Sequence, residues 1–264
     1  MIATFQSELI KVWQRRTVLT AVVVAVVFAA SSAALVLVSA ESGAVGAAGR
    51  GGGGVTVESL SGAGGGTEVF ASAMAFAGFF VLVLFTGAMA AEFGRGSFRT
   101  MLLAQPSRLR LLAGKLGALL ASAAVVLALV EVVTWVTARL LAPSQDIATG
   151  DWASFAGLGA GIADYGSSLF WVTGYALLGT ALAMVVRSVT VAMAIGLAWF
   201  GPFEHILADG WDLASQLFPG LLLEQVIAGG SPDVSATQAF TTVLAYAAVA
   251  AVIAGTSFAR RDVT

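Results

Sequence analysis

Apolar residues dominate six stretches of the chain, at 17–39, 69–91, 111–141, 165–186, 189–207 and 239–258. A helix needs about 20 mostly apolar residues to cross a hydrocarbon core of roughly 30 Å, and each stretch is long enough for that. The third carries a single acid, Glu131, and the fourth and fifth are separated only by Arg187 and Ser188. The pattern predicts an all-α membrane protein, one transmembrane domain over 1–264 with six helices. An even number of spans places both termini on one side.

The segments between these runs have patterns of their own. At about 100° per residue, Ile2, Phe5, Leu9, Val12 and Trp13 share one face of residues 1–16. Ser7, Glu8, Lys11, Gln14 and Arg15 occupy the other, which predicts a helix lying in the membrane interface. Residues 42–67 are so rich in glycine that they read as a flexible loop. Residues 211–228 are apolar but broken by Pro219-Gly220, and neither half is long enough to cross. Two short re-entrant helices fit, since non-helical backbone at membrane depth needs protein around it.

Between the second and third spans the chain reads AAEFGRGSFRTMLLAQPSRLRLLAGKL. Gly94 and Gly96 permit a bend, Ser97 suits the N-cap of a short helix, and Pro106 ends it, giving an element at 97–106. Phe98, Met101 and Leu102 follow i, i+3, i+4 spacing and share a face, and Ser107 is placed to cap the next helix. Two readings of this element stand side by side: insertion into a groove on a soluble partner, or a turn that faces lipid.

Composition agrees with a bilayer environment, with 58% hydrophobic and 11% charged residues, against roughly 25% charged in soluble domains. A net charge of −2 argues against nucleic acid as a partner. With no cysteine, disulfides, thiolate metal sites and cysteine nucleophiles are excluded. Lys11 and Lys115 are the only lysines, and the excess of arginine, alanine and glycine fits the coding bias of a high-GC bacterium. The six-span topology puts Lys11, Arg15, Arg16, Arg95, Arg99, Arg108, Arg110, Lys115, Arg187, Arg260 and Arg261 on one side, and only Arg50 and Arg139 on the other. By the positive-inside rule both termini are cytoplasmic, with Arg15, Arg16 and Lys115 as interfacial anchors. The first apolar run and VSAES resemble a signal peptide cleaved after Ala40, but a signal core spans only about 7–15 residues.

Catalytic motifs are sparse. Gly114-Lys115 is followed by Leu116 where a phosphate-binding loop needs Ser or Thr, and GLGAG at 157–161 lacks the strand–helix setting of a dinucleotide site. His205, the sole histidine, stands beside Glu204; one His and one acid make neither a triad nor a zinc site, and the pair reads as an interfacial structural feature. Glu131 lies about 24 Å of helix beyond Lys115, near the far interface, where it either snorkels or pairs with a helix, or else contacts substrate or a proton. Phe76, Phe79, Phe80, Phe85, Trp171, Tyr175, Trp199 and Phe200 mark the spans, packing or facing lipid, or lining a greasy conduit. The candidate path comprises Phe76, Phe79, Phe80, Trp199, Phe200 and Glu131.

Glu92, Gly96-Ser97-Phe98-Arg99, Leu102-Leu103, Pro106, Ser107-Arg108 and Gly114-Lys115 resemble the E…GT-R-LL-P-SR…GK segment of permease subunits of ATP-binding-cassette exporters of the type-two (type V) family. Glu8, Leu9, Lys11, Arg15 and Arg16 are similar to that family's N-terminal pattern, and Phe258 with Arg260, Arg261 and Asp262 to its ending. The motifs are individually loose and collectively specific; Ser97 departs from the usual threonine. The resemblance implies a second permease copy or a paralogue, and cytoplasmic ATPase subunits that bind ATP and Mg, no cofactor being held by this chain. It assigns Glu92, Gly96, Ser97, Phe98, Arg99, Met101, Leu102, Pro106 and Arg108 to coupling with that ATPase, and the second and fifth spans to the translocation path. The implied protein is a multidrug-type exporter of the bacterial cytoplasmic membrane, not itself an enzyme, moving a lipophilic drug, antibiotic or lipid. The alternative is a mechanotransmitting subunit that acts on an extracytoplasmic partner without moving substrate. An intramembrane enzyme would need paired catalytic residues, and on this reading Glu131 stands alone.

Overall fold

A computed structural model describes residues 2–40, 55–75, 77–211 and 213–260. The described chain is helical with no strand. The elements are α1 (Ile2–Val12), α2 (Arg15–Ser39), α3 (Val57–Leu60), α4 (Gly65–Ala75), α5 (Gly78–Gly94), α6 (Ser97–Ala104), α7 (Arg108–Leu141), α8 (Phe155–Val186), α9 (Val189–Ala198), α10 (Glu204–Gly210), α11 (Ala214–Leu217), α12 (Pro219–Ala228) and α13 (Ala236–Arg260). A π turn, Trp199–Phe203, joins α9 to α10 around Pro202, and the continuous run is Val189–Ala208. Proline has no N–H to donate and clashes with the preceding turn, so the helix widens there rather than continuing regularly.

Among the described residues, five helices are long and apolar enough to cross a membrane: Arg15–Ser39, Arg108–Gln145, Phe155–Val186, Val189–Ala208 and Ala236–Arg260. The run expected at 69–91 is divided between α4 and α5. At the division the Ala77 N–H donates to Met74 O at 2.9 Å, an i−3 bond that tightens the turn. The next residue is Gly78, where an added Cβ would stand 3.0 Å from the rings of Trp171 and Tyr175. An unbroken apolar run carries no local sign of such a division.

α8 is the central helix. Of its most apolar window 56% is buried, against 17% for α7, and α4, α5, α7, α12 and α13 all pack on it. Small side chains allow this. An added Cβ at Gly179 would lie 2.7 Å from Thr86 Oγ1 of α5, and one at Gly174 would lie 2.6 Å from Leu223 of α12. Between apolar helices, where lipid offers equal hydrophobicity, close backbone approach through small residues is a main source of attraction. α8 also begins ten residues before the expected 165, because Ser154 caps it by accepting from Gly157 N at 3.1 Å. GLGAG is thus the first turns of this helix.

The glycine-rich segment departs further from expectation. Residues 41–54 lie outside the described part, but 55–67 are ordered rather than a flexible loop. Thr56 and Ser59 form a reciprocal capping box at the start of α3. Leu60 is fully buried, and its carbonyl accepts the Trp152 indole N–H at 2.8 Å. A Cβ on Gly66 would come within 2.8 Å of both Trp135 and Trp152. Gly66 thus serves close packing beneath two tryptophans, a contact made by residues distant in sequence.

Residues 211–228 contain two short helices, α11 and α12. The break falls at Phe218, which is extended, with Pro219 opening α12 at its first position. Gly229 (φ 75°) and Gly230 (φ 104°) close α12, the Gly230 N–H donating to Gln225 O at 2.9 Å. α1 is helical as expected, but it lies against α7 with Thr4 and Glu8 buried and Phe5, Leu9 and Val12 half-buried. Ile2 and Trp13 remain exposed, so the packed face is rotated from the purely apolar one.

Candidate functional site

The bend after α5 depends on Gly96, whose φ of 66° is the left-handed conformation that favours glycine. Gly96 occupies the N-cap of α6, and Ser97 is the first helical residue. Ser97 does not cap the helix. Its hydroxyl donates instead to the Glu92 carboxylate on the preceding turn of chain, a stronger acceptor than a neutral group would be. Ser107 holds the N-cap position of α7 but makes no side-chain cap bond either.

Glu92 is one member of a buried charge cluster. Lys115 Nζ of α7 stands 2.6 Å from Glu92 Oε1 and 2.8 Å from Glu8 Oε2. Glu8 Oε1 lies 2.6 Å from Lys11 Nζ on the next turn of α1. Glu8, Glu92 and Lys115 are all buried, and only Lys11 reaches solvent. All four carboxylate oxygens have a partner, and two cations balance two anions. Desolvating charged groups costs several kcal/mol each unless they are fully paired, and here they are. The cluster joins α1, α5, α6 and α7 at one point. Lys115 is therefore a buried structural cation rather than the interfacial anchor expected of it, whereas Arg15 and Arg16 are exposed.

A second contact holds α6 from the other side. The Phe98 ring is fully buried, with its centroid 4.8 Å from Phe93 and 4.8 Å from Phe258 of α13. Arg187, itself in a left-handed turn between α8 and α9, places its guanidinium 5.1 Å from the Phe93 ring centre. Arg108 Nη1 donates to Phe258 O at 3.2 Å, tying the start of α7 to the end of α13. Met101 and Leu102 are half-buried against the same aromatic cluster. Phe98 thus faces the chain's own interior. Thr100, Leu103 and Pro106 are exposed, Leu103 at 88%. Arg99 lies in α6, and its side chain is outside the described residues.

The candidate path residues do not converge. Phe76 lies outside the described residues, and Phe79 is placed only as part of α5. Phe80 is 62% exposed and Trp199 is partly exposed, while Phe200 is half-buried edge-on to Tyr175 with ring centres 5.9 Å apart. α5 does pack against α9, so the second and fifth apolar runs are neighbours. Glu131 opens elsewhere, onto a cavity between α7 and α8 lined by Ala128, Gly161, Ile162 and Tyr165. It is not alone there, because buried Asp164 of α8 interacts with it electrostatically. Asp164 escapes notice in the sequence because it precedes the apolar run by one residue. Among the described residues no group of His, Asp or Glu has metal-holding geometry.

These features define an all-α transmembrane protein in which a short amphipathic helix is fixed, at the end bearing residues 2 and 260, by a charge cluster and an aromatic cluster. The chain belongs to the family described as proteins of unknown function DUF2705, whose profile matches residues 22–264. No curated protein matches it.

Proposed function

We propose that the chain is the transmembrane subunit of an ATP-driven exporter of the ATP-binding-cassette class. On this reading α4 and α5 together form a broken second span, making six, and the termini and α6 face the cytoplasm of a bacterium. What supports the reading is the mounting of α6. An element of only eight residues would not hold its shape alone in water, yet it is fixed at both edges while Leu103 points outward. A large exposed apolar side chain on a rigid mount suits insertion into a partner.

The partner proposed is a soluble ATPase subunit that binds ATP and Mg, and the permease works as a pair with a second copy or a paralogue. Closure of the ATPase would push on α6. The charge cluster would pass that displacement to α1, α5 and α7 together, because moving any one member alone strips a buried carboxylate of its partner. Substrate would pass beside α5 and α9, with Phe80, Trp199 and Phe200 on its route, and a lipophilic cargo fits their surfaces.

Since the chain has no cysteine, a single cysteine at Leu103 can carry a photoactivatable crosslinker without background. The expected result is an adduct with a soluble nucleotide-binding chain when illuminated in native membranes. Adducts with lipid alone would overturn the assignment of α6.

A further inference from the structure

At the opposite end of the bundle, two consecutive residues of α10 each reach α12. Glu204 is fully buried, and its Oε2 accepts the Leu221 backbone N–H at 3.1 Å. A Cβ on Gly220 would collide with that same oxygen, so the carboxylate sits directly on the first turn of α12. α12 lacks a cap of its own. Phe218 at its N-cap offers no side-chain acceptor, and Pro219 has no N–H. A negative charge at this terminus is also favoured by the helix dipole.

His205 makes the second contact. Its Nδ1 is 2.8 Å from Gly201 O within the π turn, and its Nε2 is 3.4 Å from Glu224 Oε2 of α12. A backbone carbonyl only accepts, so Nδ1 carries a proton and donates to it. Nε2 and the Glu224 oxygen then need one further proton between them, on either atom, because two bare acceptors repel. Among the described residues, the titratable groups that interact electrostatically with Glu224 besides His205 are Glu204 of α10 and Tyr175 of α8, and Tyr175 also feels Glu204. α11 and the π turn bring no titratable side chain. None of these groups supplies a replacement cation.

We propose that Glu204 and His205 form a two-point latch holding α12 closed over the bundle, with the His205–Glu224 contact as its pH-sensitive half. The sign follows from the shared proton: the contact holds at acidic pH and is lost as the pH rises and that proton leaves. Behind α12 lie Leu222, Leu223, Val226 and Ile227, buried with Phe70, Trp171 and Val243. Release would uncover this apolar surface at the end opposite α6. The inference does not depend on the exporter reading, since it concerns only the motion of α12.

The test uses the full cysteine-free chain in detergent, with Val226→Cys as a buried reporter and exposed Ser144→Cys as the reference that corrects for thiol ionisation. Labelling by a water-soluble maleimide, normalised to the reference, is expected to rise about threefold between about pH 5.5 and pH 8.5, as for a half-exposed charge pair. His205→Ala should label at the faster rate at both pH values. Glu224→Gln should remain slow at both, because an amide donates to neutral Nε2 without needing the proton. Glu204→Ala should be fast throughout, and if it fails to elute as a single species the His205 and Glu224 variants still decide. A pH profile unchanged by His205→Ala, or a Glu224→Gln profile like that of the unsubstituted latch, would overturn the proposal.

Discussion

Replacing Lys115 with methionine is expected to destabilise the chain by about 3–5 kcal/mol, the cost of leaving a buried ion cluster without its central partner. The side chains have similar length, so the change removes charge rather than packing. Glu8 Oε2 and Glu92 Oε1, now 2.8 and 2.6 Å from Nζ, would both lose their cation while Glu8 and Glu92 stay buried. The single substitutions Glu8→Gln and Glu92→Gln should cost less, because each leaves Lys115 one carboxylate. The triple variant Glu8→Gln, Lys115→Met, Glu92→Gln should recover much of the loss, as buried pairs replaced together often do. Equilibrium unfolding in detergent, followed by tryptophan fluorescence, would check this. A Lys115→Met variant within about 1 kcal/mol of the parent, the scale of a surface pair, would mean the cluster is solvated.

Phe98→Ala is expected to free α6 without unfolding the bundle. Truncating a fully buried phenylalanine costs about 3–5 kcal/mol, and Phe98 is wedged between Phe93 and Phe258, both 4.8 Å away. Because α6 is eight residues at one end of the fold, that loss falls on local opening rather than on the core. Amide hydrogen exchange in α6 should quicken by about a hundredfold or more, equivalent to roughly 2.7 kcal/mol, while α8 keeps its protection. Unchanged protection in α6 would show that the aromatic cluster does not hold it. A variant that unfolds α8 as well would show that α6 is part of the core. In either variant the coupling proposed for this end should fail together with the docking of α6.

Much of the architecture is readable from the sequence, because membrane helices announce themselves by length and apolarity alone. Five apolar runs correspond to helices of spanning length, and the element after the second run is present with nearly its expected bounds, Ser97–Ala104. What fails to show is whatever contacts between elements decide. Glu8 sits among polar neighbours in the periodicity of α1, and only Lys115, far along the chain, makes its face a buried one. Ser97 satisfies the rules for an N-cap, yet its hydroxyl donates to the carboxylate of Glu92. Gly64, Gly65 and Gly66 read as linker until Trp135 and Trp152 are found above Gly66. Phe98 carries the signature of a partner-facing apolar residue and is instead consumed by its own bundle, leaving Leu103 as the outward side chain. For Glu8, Ser97 and Phe98 local pattern predicted the helix, and contacts with groups outside that helix set the direction of the side chain.

The most direct test of the exporter proposal is to purify the full chain by affinity from membranes of its native host and assay the eluate for Mg-dependent ATP hydrolysis. The expected result is a bound soluble ATPase whose recovery falls at least about tenfold in Leu103→Asp, a loss worth roughly 1.4 kcal/mol or more, while that variant elutes with the parent's profile. A chain that elutes without ATPase activity, or Leu103→Asp that retains the partner in full, would contradict it.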